Sequence, residues 1–298
     1  DLRDSPALEI IDRLLARGHK IRAYDPTVHK ALKNYVSDQI CDSEVEACRG
    51  SDVLAVLTEW ENFRWVDPAD VVDLVSSRQV VDARNRVLYV EGVPRWEYKY
   101  LRRVLMENRQ ISPVIFFTSG DGKPQAATPA ETFTADMNES QLSALKVVVL
   151  GNLDAAELGQ DRAKRLLNFV EKGGSLVVLG GTKSWTQGGL TSTELAKALP
   201  IEGGSPTLLE SEKPLPVKLT PQAATHPAFA GDAKFWKSIP PVLSVFTGLQ
   251  AKPAAESLVT VDTPGGSVPL VLTQRFGEGK VAVILTDSLW RWQLGPES

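Results

Sequence analysis

The hydrophobic positions of residues 1–86 alternate between helical spacing and short continuous apolar runs. Apolar residues recur at helical spacing from Ala7 to Leu15, after a Pro6 that favours a helix start and before a Gly18 that favours its end. Residues 52–57 are too apolar to leave one face in water, which is typical of a strand buried on both faces. Short buried strands between helices predict a parallel, doubly wound sheet. The predicted strands are 20–24, 52–57 and 79–82. Besides the helix that ends at Gly18, helices are predicted at 43–49 and 68–75.

Residues 87–298 begin with the same alternation and then change character. Strand-like and helix-like patterns alternate up to about residue 199. From Gly203 onward, short apolar runs are punctuated by Pro and Gly, which indicates β-rich structure. We therefore predict an α/β domain with an antiparallel extension. The predicted strands are 87–90, 113–117, 146–150, 175–179, 258–261, 269–272 and 281–285, the predicted helices are 95–107, 161–172 and 191–199, and residues 120–134 are predicted to form a polar loop.

The two patterns meet near residue 86 without a linker between them. We predict an α/β protein with two doubly wound, mostly parallel sheets. Residues 1–86 are expected to form a truncated Rossmann-like lobe, and residues 87–298 a flavodoxin-like domain with a β-rich C-terminal extension.

The composition indicates a soluble globular protein. The chain has 298 residues and is 43% hydrophobic, which is enough to fill the cores of two domains. The net charge is -4 and no basic tract occurs, which argues against a nucleic-acid partner. Each apolar run is far shorter than the roughly 18 to 20 residues that span a bilayer, so we predict no membrane segment in this chain. The chain starts at Asp1 without a Met, and we expect further sequence beyond both of its ends.

Few residues are suited to metal, nucleotide-loop or thiol chemistry. Cys41 and Cys48 are too few for a disulfide framework or a zinc site, and we predict free, reduced thiols. No G-x-G-x-x-G or Walker A loop occurs, so Asp25 at a strand end is predicted to lie in a turn rather than to hold a ribose. We predict no catalytic residue and no metal site.

Arg3 and Arg84 are the stronger candidates for ligand binding. In doubly wound sheets ligands bind beyond the carboxyl ends of the strands, and Arg84 follows the strand predicted to end at Asp82. A guanidinium offers a forked set of donors to phosphate or carboxylate. From the residues alone, a solvated or ion-paired side chain remains the alternative for each arginine.

The Gly-Gly turn after residues 175–179 has the local build of a nucleophile elbow, with Thr182 or Lys183 at the projecting position. A hydrolase needs a Ser or Cys there and a histidine base, and His226 is the single histidine of this half. We predict a structural turn and a loop histidine instead. Three tryptophans near the strand ends are predicted to pack in the core, with a sugar or partner platform as the alternative: Trp185, Trp290 and Trp292.

Residues 1–86 resemble the C-terminal domain of the UDP-glucose/GDP-mannose dehydrogenase family. The resemblance rests on DLRDSP at 1–6, YDP at 24–26, DVLAVLTEW at 52–60 and VVDARN at 80–85, in the family's order and spacing. It implies an NAD-dependent oxidation of a sugar C6 alcohol to a carboxylate in the complete enzyme. It also implies that Arg3 reaches NAD and that Arg84 contacts the sugar nucleotide, so a UDP-sugar is the expected ligand.

This sequence lacks three features of that family: the NAD-binding half, its cysteine nucleophile, and the strand that precedes the first motif. Hydride transfer and thiohemiacetal chemistry need that cysteine, and Cys41 and Cys48 do not match its place. We therefore expect no cofactor bound by this chain alone, and NAD only when the missing half completes it. Without its first strand, this lobe is expected to be less stable than its parent or to borrow residues 87–90 as a substitute strand.

Residues 87–298 resemble class I glutamine amidotransferase-like domains of membrane-anchored bacterial proteins. The motifs are VLYVEGVPRWEY at 87–98, VVVLGNL at 147–153, VEKGGSLVVLGG at 170–181, FGEGKVAV at 276–283 and TDSLWRW at 286–292. The resemblance implies a flavodoxin-like sheet. No Cys follows the Gly-Gly turn and no His-x-Glu pair occurs, so glutamine hydrolysis is not expected and a scaffold or binding role is the default.

Three hypotheses follow for the whole chain. The leading one is a non-catalytic fragment that joins a nucleotide-sugar-binding lobe to an inactive amidotransferase-like domain. The second is a piece of an NAD-dependent UDP-sugar 6-dehydrogenase, and the third is a fusion or assembly artefact without a joint function. We expect a cytoplasmic location, and the sequence leaves a homo-oligomer open.

Overall fold

The computed structural model divides the chain into two compact units, Asp1–Arg84 and Asn85–Ser298. The structure describes residues 6–25, 40–57, 74–82, 85–108, 110–118, 124–126, 136–186, 188–229 and 239–293. Arg3, Arg84 and the greater part of the predicted helix at 68–75 lie outside the described residues.

The described residues of the first unit form two helices and a pair of parallel strands. Helix α1 (Pro6–Ala16) ends just before Gly18, whose φ of 82° is left-handed, as the sequence predicts. Helix α2 (Glu44–Cys48) begins after Ser43, whose side chain accepts a hydrogen bond from the Glu46 amide. Strands β1 (Ser51–Val56) and β2 (Val75–Asp82) pair in parallel. The predicted strand at 20–24 is reduced to one bridge between Ala23 and Ile40.

Two expectations for this unit are wrong. Val53 in the middle of β1 is 46% exposed, so this strand does have a face that is partly open to water. An apolar run predicts burial only where other elements cover both faces, and this strand is exposed at Asp52, Val53 and Ala55. Val75, the last residue of the predicted helix at 68–75, belongs to β2, where its β-branched side chain is 2% exposed.

The second unit is built on a nine-stranded sheet with a parallel centre. Its order is β10-β13-β14-β15-β7-β6-β3-β4-β5, with parallel pairing from β15 to β4 and antiparallel pairing at both sides. The bounds of the sheet strands are β3 (Asn85–Glu91), β4 (Ile111–Thr118), β5 (Pro124–Ala126), β6 (Val147–Leu150), β7 (Ser175–Leu179), β10 (Val217–Leu219), β13 (Glu256–Thr263), β14 (Gly266–Phe276) and β15 (Gly279–Ile284). Two further antiparallel pairs join β8 (Ile201–Glu202) to β12 (Gln250–Ala251) and β9 (Thr207–Leu215) to β11 (Val242–Thr247).

Helices follow the parallel strands, and the predictions at 95–107 and 161–172 are confirmed by the helices Trp96–Glu107 and Gln160–Glu171. The prediction at 191–199 is wrong in type, because the segment forms two short 3-10 helices, Leu190–Ser192 and Glu194–Lys197, on either side of Thr193. The Thr193 hydroxyl accepts from the Leu195 amide and donates to the Leu190 carbonyl, which breaks a continuous α-helix at that point. The helices are α3 (Trp96–Glu107), α4 (Glu139–Ser143), α5 (Ala155–Leu158), α6 (Gln160–Glu171) and α7 (Thr182–Trp185), with further 3-10 helices at Pro221–Thr225 and Leu289–Gln293.

Strand β3 lies inside this sheet and is buried on both faces. Leu88 and Val90 face one apolar cluster, whereas Val87 and Tyr89 face another, as alternation along a strand requires. Both edges of β3 are paired, with β4 on one side and β6 on the other. Residues 87–90 are therefore not a substitute strand for the first unit, and that alternative is wrong, whereas the lower stability of the first unit stays a prediction.

Candidate functional site

Buried polar groups gather at the carboxyl ends of the parallel strands of the second unit. Strand β3 ends in Glu91, β6 is followed by Gly151 and Asn152, and β7 is followed by Gly180. This edge is where ligands of doubly wound sheets bind. The buried polar residues here are Glu91, Glu97, Asn152, Ser184, Thr286 and Ser288.

Glu91 is the centre of this group and is fully buried. Its carboxylate accepts hydrogen bonds from the Tyr89 hydroxyl at 2.6 Å and from the backbone N–H of Asn152 at 2.6 Å. The Arg95 Nε lies 3.4 Å from both carboxylate oxygens. A Cβ at Gly151 would overlap this carboxylate, so glycine there allows the close approach. Burial, followed by the charge of Glu91, raises the pKa of the Tyr89 phenol, which stays protonated and donates.

Arg95 links the ends of two strands. It is the N-cap residue of α3, and its Nη1 donates to the Gly180 carbonyl after β7 while its Nε faces Glu91 after β3. The same Nη1 lies 3.7 Å from Glu97 Oε2. Its Nη2 is buried and has no hydrogen-bond partner within the described part of the chain. The Arg95 guanidinium therefore lies within ion-pair distance of both Glu91 and Glu97.

Glu97 is an almost fully buried carboxyl group in the first turn of α3, with 6% of its surface exposed. Burial raises its pKa to about 7, and the neighbouring charges of Asp287 and Glu91 act in the same direction, whereas Arg95 opposes them. Its Oε1 has no hydrogen-bond partner among the described residues. A carboxyl group of this kind can hold a proton near neutral pH.

The Gly-Gly turn after β7 is a packed connection into α7. Gly181 has an extended φ of -175°, and Thr182 and Lys183 lie in the helix that follows, so neither occupies the left-handed region. The Lys183 amide donates to Asn152 Oδ1 at 2.8 Å, and its Nζ lies 2.5 Å from Glu157 Oε1. The Ser184 hydroxyl is fully buried and donates to the Gly151 carbonyl at 3.0 Å. The side chains of Asn152 and Ser184 thus fix the turn through hydrogen bonds to and from the backbone.

His226 follows the 3-10 helix Pro221–Thr225 in the β-rich part of the unit. Its Nδ1 accepts a hydrogen bond from the Ala228 amide at 3.2 Å, and its ring lies 6.0 Å from that of Phe229. The histidine stabilises its own loop.

The tryptophans divide between core and surface. Trp185 is fully buried in the main core and Trp292 packs against the core of the β-rich part, whereas Trp290 lies on α3. The Trp290 ring stacks on Trp96 at 5.6 Å and on Tyr100 at 6.2 Å between centroids. Trp96 is 52% exposed. We call Trp96, Tyr100 and Trp290 the aromatic patch.

Both cysteines of the first unit are buried and form no disulfide. Cys41 is 4% exposed and Cys48 is 2% exposed. Burial, with the charge of Glu44, raises the pKa of the Cys48 thiol, which disfavours the reactive thiolate. No group of three metal-ligating side chains occurs in the described ranges.

Sequence reasoning did not single out Glu91, Arg95 or Glu97 as a cluster. One signal was available, because Glu91 ends an otherwise apolar strand and a buried charge needs a partner. Its partners could not be read locally, since the Asn152 amide is 61 residues away in the chain.

A parallel sheet with helices between its strands and polar groups at its carboxyl edge defines the second unit as a flavodoxin-like α/β domain. Residues 149–297, half of the chain, match the family model described as "Putative glutamine amidotransferase". The chain belongs to this glutamine amidotransferase-like family. Residues 1–88 match the UDP binding domain of the UDP-glucose/GDP-mannose dehydrogenase family.

Curated relatives match the N-terminal region. The chain is 32% identical over 103 residues to a UDP-glucose 6-dehydrogenase of Rickettsia bellii, covering 34% of this chain and 24% of that protein. It is 38% identical over 103 residues to a UDP-glucose 6-dehydrogenase of Rickettsia typhi, with the same coverage. The chain thus spans about a quarter of the length of these relatives.

Among solved structures, a cytoplasmic protein of Salmonella typhimurium LT2 is similar with a TM-score of 0.51 and 17% identity, covering 68% of this chain and 88% of that one. This likeness shows the fold. Within the part of the chain that the structure describes, every helix is too short or too polar to cross a membrane.

Proposed function

We propose that this chain is a non-catalytic binding protein, in which a nucleotide-sugar-binding lobe is joined to an inactive amidotransferase-like domain near residue 86. The inactivity of the amidotransferase-like domain is inferred from its lack of a cysteine. Residues 85–298 contain no cysteine, and the segment after β7 reads Gly-Gly-Thr-Lys-Ser-Trp. A glutaminase of the amidotransferase type needs a thiolate nucleophile at such a turn.

The strand ends carry an ion network where such an enzyme would hold its nucleophile and substrate. Arg95 bridges from Glu91 to the Gly180 carbonyl across this edge of the sheet. The Ser184 hydroxyl in the helix after this turn is fully buried and donates to the Gly151 carbonyl. A packed polar network of this kind rigidifies the edge and leaves no free nucleophile among these side chains.

The first lobe is proposed to bind a UDP-sugar through Arg84, with Arg3 directed to the NAD of a completed enzyme. The match of residues 1–88 to a UDP binding domain supports this ligand. Both proposed contacts place a fixed cation against phosphate or carboxylate oxygens. No cofactor is proposed for the chain alone.

Isothermal titration of the whole chain with UDP-glucuronate tests the first lobe. The wild type is expected to release heat on binding, and Arg84→Ala is expected to lose most of it. Arg13→Ala is the matched control, because it removes one positive charge from the exposed face of α1 in the same unit. Identical heats for wild type and Arg84→Ala would remove the assigned contact.

Ammonia release from glutamine tests the second part. We expect the rate with the whole chain to equal the rate without protein. A protein-dependent rate that resists Ser184→Ala and Thr182→Ala would still contradict the proposal, because it would show a nucleophile elsewhere in the domain.

The second candidate is a piece of an NAD-dependent UDP-sugar dehydrogenase, and the relatives named UDP-glucose 6-dehydrogenase favour it. In that case a separately expressed NAD-binding half should complete the enzyme. We would mix the two chains with UDP-glucose and NAD and follow NADH by absorbance. NADH formation that is lost with Arg84→Ala would support this candidate over a pure binding role. We also propose a cytoplasmic location, which cell fractionation would test.

A further inference from the structure

A row of apolar side chains lies on the outer side of α3. Trp96, Tyr100 and Val104 are spaced four residues apart, which places them along one side of the helix. Trp96 is 52% exposed and Val104 is 37% exposed. Trp290, from the 3-10 helix Leu289–Gln293, widens the row because its ring stacks on Trp96 and Tyr100. Exposed apolar surface that is contiguous in this way, rather than scattered singly, points to an interaction site.

Two cations lie against the rings of the aromatic patch. The Lys99 Nζ is 4.8 Å from the centroid of the Trp96 ring and 5.7 Å from that of Tyr100. The guanidinium carbon of Arg291 is 5.6 Å from the centroid of the Trp290 ring. Neither cation forms an ion pair with a described residue, whereas Arg103 on the same helix is paired with Glu107. The uncompensated charge on this face is positive, so an anionic partner complements it.

The shape of this face favours an extended anionic surface over a small anion. The outer side of a helix is convex, and small-molecule sites are concave. Aromatic rings combine an apolar body with a polar edge, and the apolar stems of Lys and Arg let their charges reach past such rings. Trp and Tyr beside Lys and Arg are the residues that lie at the boundary between lipid headgroups and acyl chains. An anionic lipid surface therefore contacts the whole face, whereas a small anion contacts its cations alone.

We propose that the aromatic patch, together with Lys99 and Arg291, docks the second unit on the surface of a membrane that contains anionic lipid. In this contact α3 lies along the surface, the exposed part of Trp96 enters the headgroup boundary, and the two cations bind lipid phosphates. The contact is peripheral. It belongs to the second unit and goes beyond the proposed function, which it leaves unchanged.

Co-sedimentation of the whole chain with lipid vesicles tests the docking. One set of vesicles contains phosphatidylcholine alone, and the other contains equal parts of phosphatidylcholine and phosphatidylglycerol. The wild type is expected to pellet with the mixed vesicles and to stay in the supernatant with phosphatidylcholine alone. Added salt should reduce the pelleted fraction, because it screens the attraction between the exposed cations and the lipid phosphates.

Variants with matched controls assign the contact to this face. Lys99→Gln and Arg291→Gln should each weaken partition into the mixed vesicles about fivefold. Lys280→Gln is their control, because it removes an exposed cation from β15, and it should partition as the wild type does. Trp96→Ser should weaken partition about tenfold. Leu219→Ser, at an exposed apolar position on β10 of the same unit, is the control for that change.

Three results would overturn the proposal. A wild type that stays in the supernatant with both kinds of vesicle would exclude the lipid surface and leave an acidic protein as the partner of this face. Equal pelleting with both kinds would exclude recognition of the anionic headgroups. Partition by Lys99→Gln and Arg291→Gln equal to that of Lys280→Gln would place the contact elsewhere on the chain, and this comparison holds even if Trp96→Ser fails to fold.

Discussion

Strands β1 and β3 are both short apolar strands in parallel pairing, but β1 is partly exposed whereas β3 is buried. In β1 of the first unit, Val53 is 46% exposed. In β3 of the second unit, Leu88 and Tyr89 are fully buried. Strand β3 is paired at both edges and covered on both faces. Because water is excluded there, each carboxylate oxygen of its last residue, Glu91, needs a hydrogen-bond donor from the protein. Burial of a strand is thus a property of its neighbours and not of its composition.

The largest effect is expected from Arg95→Ala. This change leaves the buried carboxyl groups of Glu91 and Glu97 without their shared cation, and it should destabilise the second unit by roughly 3 to 5 kcal/mol at pH 8. Chemical denaturation followed by hydrogen exchange of the β3 peptide would measure it. Arg103→Ala on the exposed side of the same helix is the control and should unfold with the wild type. A loss no larger than that of Arg103→Ala would mean that the network adds nothing to stability.

Core truncation should separate the two strands directly. Leu88→Ala removes a fully buried side chain and should cost roughly 2 to 5 kcal/mol. Val53→Ala removes a half-exposed side chain and should cost about 1 kcal/mol or less. Denaturant titration of each variant, followed by exchange of peptides from its own unit, gives both values. Equal costs would contradict the difference in burial between β1 and β3.

Gly151→Ala tests how tightly the Glu91 carboxylate is packed. The new Cβ would overlap that carboxylate, and we expect a loss of roughly 1 to 3 kcal/mol in the second unit. Gly265→Ala in the β13–β14 turn is the control, because its nearest neighbour is the Thr263 hydroxyl at 3.8 Å. A Gly151→Ala protein as stable as Gly265→Ala would show that Glu91 can move away.

The smallest effect is expected at the surface, where the two units should behave alike. Arg13 pairs with Glu9 in the first unit, and Arg103 pairs with Glu107 in the second, with each partner largely exposed. Solvent and side-chain entropy offset such pairs. Arg13→Ala and Arg103→Ala should both unfold at the denaturant concentration of the wild type. A clear shift in one of them would indicate that its helix depends on that pair.

Local signals predicted many elements. Ser43 caps α2 and Gly18 follows α1, while β3, α3, α6 and β7 match their predicted positions closely. The positions of these elements follow from residue type and spacing along the chain. The helix at 191–199 was predicted wrongly because the Thr193 hydroxyl competes for backbone groups, an effect that hydrophobic spacing does not register.

The site was less accessible to sequence reasoning. The absence of a thiol after the Gly-Gly turn is visible in the sequence, as is the charge of Glu91 at the end of an apolar strand. The hydrogen bond from Arg95 to the Gly180 carbonyl, 85 residues away, is not visible in the sequence. Arg3 and Arg84 lie outside the described residues and remain predictions for the nucleotide sugar.

The sequence by itself determined the periodicity of the elements and the lack of a cysteine in the second unit, because each of these is a property of residue type and spacing. Only the tertiary structure decided that residues 87–90 pair at both edges inside the second unit's sheet, that Val53 is partly exposed, and that one arginine lies next to two buried glutamates. Those outcomes depend on which distant strands and helices come together, and the free energy of a buried charge or an apolar face is set by those neighbours.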